Sequence, residues 1–116
     1  LRNAQNKTKK NSKLKLILAL NYGSKNELIN AMKLINYKKM KFSESSVKNF
    51  LYTKGIPDPD ILIRTGNTNR LSNFLLWQLS YSEIFFVKKM WPDFNERDYK
   101  NILEKFKKIK RNFGNI

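Results

Sequence analysis

Apolar and polar residues alternate along the chain in blocks that predict strands separated by helices. The run LKLILALNYG (14–23) is apolar and closes at a glycine, which is typical of a buried strand. The runs ILI (61–63) and EIFFV (83–87) are shorter and are also too apolar for a solvent-facing segment. We therefore predict three strands, at about 14–21, 60–63 and 83–87.

Helical spacing predicts two helices between the first and second strands. Ser24 and Glu27 have the spacing of a capping box, which would begin a helix at this point. The apolar residues expected on one face of that helix are Leu28, Ile29, Met32 and Ile35. Ser43 is predicted to cap the next helix, and Gly55 is predicted to end it. Its inward residues would be Val47, Phe50 and Leu51.

The remaining segments are assigned in the same way. SNFLLWQLSY (72–81) is typical of a short helix, and Asn95 is predicted to cap a long C-terminal helix with Gly114 just past its end. Residues 1–12 show no clear period and fit either a linker or the tail of a helix.

Strands that alternate with helices favour parallel pairing and right-handed crossovers, hence an α/β fold with flanking helices. We expect one domain over residues 1–116. Three strands are few for a sheet covered on both faces, so we expect this domain to be partial, with an N-terminal portion missing.

Composition narrows the chemistry. The 116 residues carry a net charge of +15, which favours an anionic partner. Cysteine and histidine are both absent, which excludes disulfides, thiolate or imidazole metal sites and the common histidine-based nucleophilic triads. A metal, if used, should be a hard ion bound by oxygen, with Mg²⁺ first. No apolar run reaches the length of a membrane span, and no secretory signal is visible.

The segment PDPDILIRTGNTNRLSN (57–73) carries the candidate site. Arg64 and Arg70 flank small and polar residues, Ser72 follows, and Glu83 begins the third strand. Two guanidinium groups, a hydroxyl and a carboxylate describe a diphosphate site that also holds Mg²⁺. Alternatives remain open for each residue. Arg64 would pair with Asp58 or Asp60, Arg70 would be a solvated loop residue, Ser72 a helix cap and Glu83 a surface acid in a turn.

Three segments resemble the cis-prenyltransferases, the family of undecaprenyl diphosphate synthase. They are PDPDILIRTGNTNRLSNFLLWQLSYSEIFFVKKMWPDF (57–94), LALNYGSKNELINAM (18–32) and KRNFG (110–114). The resemblance is collinear over roughly residues 14–114 and implies the C-terminal portion of that parallel-sheet fold.

The resemblance implies a function and roles for named residues. The family condenses isopentenyl diphosphate with an allylic diphosphate such as farnesyl diphosphate, and so makes a cis-polyprenyl diphosphate for lipid carriers. Arg64, Arg70, Leu71 and Ser72 would bind isopentenyl diphosphate, and Glu83 would bind Mg²⁺. The family's catalytic Asp lies upstream of this chain, which should therefore be inactive alone. The resemblance further implies a cytoplasmic homodimer that makes at most transient contact with a membrane surface.

Two departures and two rival functions accompany this interpretation. Asn67 stands where the family usually has glycine, and Asn112 stands where it has a second arginine. Asn67 tolerates left-handed backbone, so the turn should survive. The first rival is a non-catalytic subunit of a heteromeric prenyltransferase, against which the retained arginines argue. The second is a basic nucleic-acid-binding domain, which no motif supports.

Overall fold

The computed structural model describes residues 1–112. The elements in chain order are α1 (Arg2–Thr8), α2 (Ser24–Tyr37), α3 (Glu44–Lys48), β1 (Ile61–Arg64), β2 (Glu83–Phe86), a 3₁₀ turn (Trp91–Asp93) and α4 (Glu96–Lys107). Residues 1–12 therefore include a short helix, and α1 is wholly exposed.

The two strands β1 and β2 lie side by side and parallel, as predicted. Ile61 pairs with Glu83 at one end of the ladder, and Arg64 pairs with Phe86 at the other. Residues 65–82 make the crossover between them. This segment was predicted to contain a helix over 72–81, and that prediction is wrong because the chain there forms a series of turns. Left-handed backbone at Ser72, Asn73 and Leu75 is incompatible with an α-helix.

The predicted strand at 14–21 is also absent. Residues 14–20 have no regular secondary structure, and Leu14 and Leu16 are 82% and 78% exposed. A strand is defined by hydrogen bonds to a neighbouring strand, and β1 and β2 form the whole sheet within the described residues. An apolar run without such a neighbour stays unpaired, so the observed sheet has two strands where three were expected.

The hydrophobic core lies between α2 and the segment around α3. Ala31 and Ile35 of α2 are fully buried against Val47 and Leu51, and Leu28, Phe50 and Trp77 pack around them. The predicted inward residues after Ser43 are thus confirmed. The predicted face of α2 is partly wrong, because Ile29 and Met32 are about half exposed. The buried stripe runs instead through Glu27, Ala31 and Ile35 at intervals of four residues.

Helix caps divide into confirmed and corrected predictions. Ser43 caps α3 and Asn95 caps α4, each with a reciprocal capping box. The box predicted at Ser24 is wrong, since α2 has Gly23 as its N-cap and no cap bond from its own side chains. Gly55 does not end α3, which stops at Lys48. α4 ends at Lys107, and the expected stop at Gly114 lies outside the described residues.

Candidate functional site

The loop after β1 is built at the carboxyl edge of the sheet, where parallel strands gather their ligands. Arg64 is the last residue of β1, and its Nε donates to Thr68 Oγ1 at 3.0 Å. The amide of Gly66 donates to the carbonyl of Lys89 at 2.8 Å, and the amide of Asn67 donates to that of Val87 at 3.2 Å. The loop is thereby tied to the segment that follows β2, which stabilises its shape.

Left-handed backbone gives the loop its tight turn. Gly66 has φ +93° and Asn67 has φ +52°. Glycine adopts this region without strain, and asparagine adopts it more readily than most residues. The prediction that Asn67 would preserve the turn is confirmed.

Arg64 presents unpaired donors at this edge. The alternative partners considered for it are engaged elsewhere, because Asp58 pairs with Lys48 at 2.7 Å and Asp60 pairs with Arg111 at 2.5 Å. Thr68 occupies the Arg64 Nε, and within residues 1–112 no protein atom binds the terminal guanidinium nitrogens. The side chain is half-buried, so it is held in place while its fork remains available to an anion.

Arg70, Leu71 and Ser72 continue the loop over the surface. Arg70 and Ser72 are exposed and Leu71 is half-buried. Ser72 has φ +50° and no helix follows it, so its alternative role as a helix cap is excluded. In the described part of the chain, neither the Arg70 guanidinium nor the Ser72 hydroxyl has a hydrogen-bond partner, which leaves both groups available to a ligand.

Glu83 lies at the opposite edge of the sheet. It is the first residue of β2 and pairs with Ile61, three residues before Arg64. Three residues of strand span about 10 Å. The expectation that Glu83 converges with the arginines within one chain is therefore not met. Its alternative as a turn residue is also excluded, because it belongs to a strand and is half-buried.

Two cavities open beside this amino edge. The larger, about 610 Å³, is lined by Asp60, Gln78 and Arg111 among others. The smaller, about 240 Å³, is lined by Glu83 together with Lys110 and Arg111. Neither cavity reaches Arg64, Arg70 or Ser72. The sequence-predicted residues thus form two groups, one at each edge of the sheet.

Glu83 alone does not complete a metal site. Among residues 1–112, no three carboxylate side chains lie close enough together to hold a metal ion. Mg²⁺ commonly takes one or two carboxylates and fills its remaining positions with water and substrate phosphates. Glu83 fits such a site only if further oxygen ligands come from outside the described residues.

A buried polar network centred on Glu27 was missed by sequence reasoning. The Glu27 carboxylate, 1% exposed, accepts hydrogen bonds from the Tyr52 amide at 2.7 Å, from Gln78 Nε2 at 3.2 Å and from the Tyr22 hydroxyl. Burial, and then the hydrogen bond to Glu27, raise the pKa of Tyr22. The signal was present in the sequence, since Glu27 lies in register with Ala31 and Ile35.

Comparisons with known proteins cover nearly all of this chain. The family model for undecaprenyl diphosphate synthase matches residues 1–114. The isoprenyl transferase of Thermotoga maritima is 43% identical over 117 residues, which cover 97% of this chain and 50% of the relative. The isoprenyl transferase of Rickettsia bellii is 46% identical over 115 residues, which cover 98% and 51%. The chain thus spans about half the length of the curated relatives it matches.

Solved structures agree with this result. A probable undecaprenyl diphosphate synthase from Campylobacter jejuni superposes with a TM-score of 0.86 at 38% identity, over 97% of this chain and 53% of that one. Lavandulyl diphosphate synthase from Lavandula x intermedia, in complex with dimethylallyl diphosphate, gives a TM-score of 0.88 at 31% identity, over 97% and 52%. The predicted prenyltransferase fold is confirmed, and the chain belongs to the undecaprenyl diphosphate synthase family of prenyltransferases.

Proposed function

We propose that this chain supplies the isopentenyl diphosphate-binding part of an isoprenyl transferase. The intact enzyme would condense isopentenyl diphosphate with an allylic diphosphate such as farnesyl diphosphate and release pyrophosphate. The observation that carries the proposal is the Arg64 guanidinium, which is fixed by Thr68 and has unpaired terminal donors at the carboxyl edge of a parallel sheet. Guanidinium forks match phosphate oxygens in charge and geometry.

The loop assigns a part to each neighbouring residue. Arg64 and Arg70 neutralise the diphosphate of isopentenyl diphosphate, and the Ser72 hydroxyl donates a further hydrogen bond. Leu71, which is half-buried, is the fourth residue proposed for the isopentenyl diphosphate site. Holding this diphosphate in one place fixes the nucleophilic double bond relative to the allylic substrate, and such positioning lowers the barrier to condensation.

Glu83 is proposed as a ligand of Mg²⁺, with its other ligands coming from substrate phosphate and from parts of the enzyme outside residues 1–112. The metal would neutralise the leaving diphosphate when bound. The position of Glu83 at the amino edge means that it does not share this role with the arginines of its own chain.

Completion of the enzyme requires more than this chain. The unpaired apolar run at residues 14–20 favours a further strand from the portion of the domain that the relatives possess and this chain does not match. We therefore propose that the chain has no turnover by itself. We also propose that the intact enzyme is a homodimer, as the family resemblance implies. None of the helices within residues 1–112 is long and apolar enough to cross a membrane. Transient contact of the basic surface with anionic lipid remains part of the proposal.

The proposed role of Arg64 is tested by measuring the affinity of the 116-residue chain for isopentenyl diphosphate by calorimetric titration. Arg64→Ala should weaken binding about tenfold or more, because a charge-assisted hydrogen bond contributes about 1.5–3 kcal/mol. Arg97→Ala is the matched control, since Arg97 is an exposed arginine near the start of α4 and should leave the affinity unchanged. Equal affinities for wild type and Arg64→Ala would remove Arg64 from the site. Turnover by the wild-type chain with both diphosphates would refute its dependence on a further portion.

A further inference from the structure

The start of α2 is capped from a distant part of the chain. Its N-cap residue Gly23 has no side chain, and the first amides of a helix have no partner within the helix. Asn73 supplies acceptors for two of these amides. Its Oδ1 accepts from the Lys25 amide at 2.9 Å, and its backbone carbonyl accepts from the Ser24 amide at 2.8 Å. A residue 48 positions further along the chain thus does the work of an N-cap.

Asn73 itself lies in a strained part of the loop that follows β1 and carries Arg70, Leu71 and Ser72. Ser72, Asn73 and Leu75 all have positive φ, at +50°, +61° and +45°. Left-handed backbone is unfavourable for residues with a side chain and persists only where the surroundings hold it. A second contact secures the far side of this turn, because the Leu76 amide donates to the buried Ser24 Oγ at 2.9 Å.

Gly23 leaves space for the Asn73 amide. A Cβ atom added at Gly23 would lie 2.9 Å from Asn73 Nδ2, which is closer than van der Waals contact allows. Gly23 has φ −148° and ψ 121°, an extended conformation that alanine adopts freely. An added methyl group therefore acts on Asn73 and not on the backbone of Gly23.

We propose that Asn73 is a positioning residue for the diphosphate site. By capping α2 it holds the left-handed turn that presents Ser72, its immediate neighbour, and Arg70 to the ligand. This inference rests on the proposed function, because it concerns the same loop. Without the cap the turn relaxes towards ordinary backbone, the competent conformation becomes less populated, and the apparent affinity falls in proportion.

A double-mutant cycle on the 116-residue chain, with isopentenyl diphosphate affinity as the readout, tests the proposal. Asn73→Ala removes the side-chain cap and should weaken binding about tenfold. Gly23→Ala displaces the amide and should weaken binding to a similar degree. The double variant should bind no worse than Asn73→Ala, because with alanine at 73 the added methyl group meets no amide. Asn69→Ala, an exposed substitution in the same loop, is the matched control and should bind as wild type does.

Asn73→Gly separates the effect of losing the side-chain cap from the effect of strain in the left-handed backbone at residue 73. Glycine adopts the left-handed conformation without strain and keeps the backbone carbonyl, but it has no side-chain acceptor for the Lys25 amide, so this variant should bind as weakly as Asn73→Ala. Wild-type affinity in Asn73→Gly, or full additivity of the Gly23→Ala and Asn73→Ala effects, would overturn the proposal while leaving the proposed function intact. Failure of the wild-type chain to bind isopentenyl diphosphate would instead overturn the proposed function, and the role of Asn73 with it. Circular dichroism of each variant verifies that α2 is retained.

Discussion

Replacement of the buried Glu27 by alanine should destabilise the chain more than any substitution on its surface. The carboxylate is almost wholly buried and joins α2 to the segment after α3 and to the crossover between the strands. It accepts from the Tyr52 amide, from Gln78 Nε2 and from the Tyr22 hydroxyl. Alanine removes all three acceptor contacts and leaves a gap beside the core.

The cost follows from the donors that remain. The Tyr52 amide, whose bond to Glu27 is part-buried, loses its acceptor, and the cost reaches at most the roughly 1–3 kcal/mol of an unsatisfied buried donor. Gln78 keeps its bond to Thr53 Oγ1 at 3.0 Å, so its loss is smaller. Relief of the buried charge offsets part of the cost, since taking a carboxylate out of water is itself unfavourable. We expect a net decrease of about 2–4 kcal/mol in the free energy of unfolding, measured by urea denaturation followed by circular dichroism.

Glu27→Gln gives the decisive comparison. The amide keeps an oxygen for the Tyr52 N–H, and its new NH₂ group faces Gln78, whose Oε1 is buried without a partner in the described structure. Rotation of the Gln78 amide would bring its Oε1 to the new NH₂ group and move its Nε2 away from its present acceptors, so the cost should be about 1 kcal/mol. Glu104→Ala on the exposed face of α4 should change stability by less than about 0.5 kcal/mol. If Glu27→Ala matched Glu104→Ala, or if Glu27→Gln were as damaging as Glu27→Ala, the reasoning from buried donors would be refuted.

Two further predictions concern pH. Because the pKa of Tyr22 is raised, the folded state keeps the hydroxyl proton at a pH where the unfolded state has lost it. The contribution of Tyr22 to the free energy of unfolding is therefore present below pH 10 and is lost as pH rises through the folded pKa. Tyr22→Phe should therefore lose less stability than wild type as the pH rises above 10, and parallel losses in the two proteins would contradict the assignment. The hydrogen bond from Lys89, and then that from the Asn95 amide, lower the pKa of Asp98, whose contribution is present above its ordinary pKa and is lost as pH falls through the folded value. Acid denaturation of Asp98→Asn should accordingly be less steep in that range than that of wild type, and identical profiles would remove Asp98 from the account.

Local signals explain which elements were predicted correctly. Ser43 and Asn95 cap their own helices through residues three positions away, so the sequence window contains both partners of each box. α2 was predicted correctly as a helix but with the wrong cap, because its cap comes from Asn73, and no short window contains a contact of that separation. The strand predicted at 14–21 was wrong for a related reason, since its pairing partner cannot be identified from the local sequence. Apolar composition indicates that a segment is to be buried, whereas a strand also needs a neighbour.

The division of the site between two edges was implicit in the predicted topology. In a parallel pair the first residues of both strands lie at the same edge, and their last residues lie at the other. Arg64 ends β1 and Glu83 begins β2, so parallel pairing places them at opposite edges whatever the loops between them do. We expected the arginines, Ser72 and Glu83 to form one cluster because of their residue types. The parallel direction of β1 and β2 contradicts that expectation. Glu83 lies at the amino edge beside Lys110 and Arg111. If it has the metal-binding role proposed for it, its metal and substrate partners would come from outside residues 1–112, and we therefore predict that Mg²⁺ binding requires the assembled enzyme.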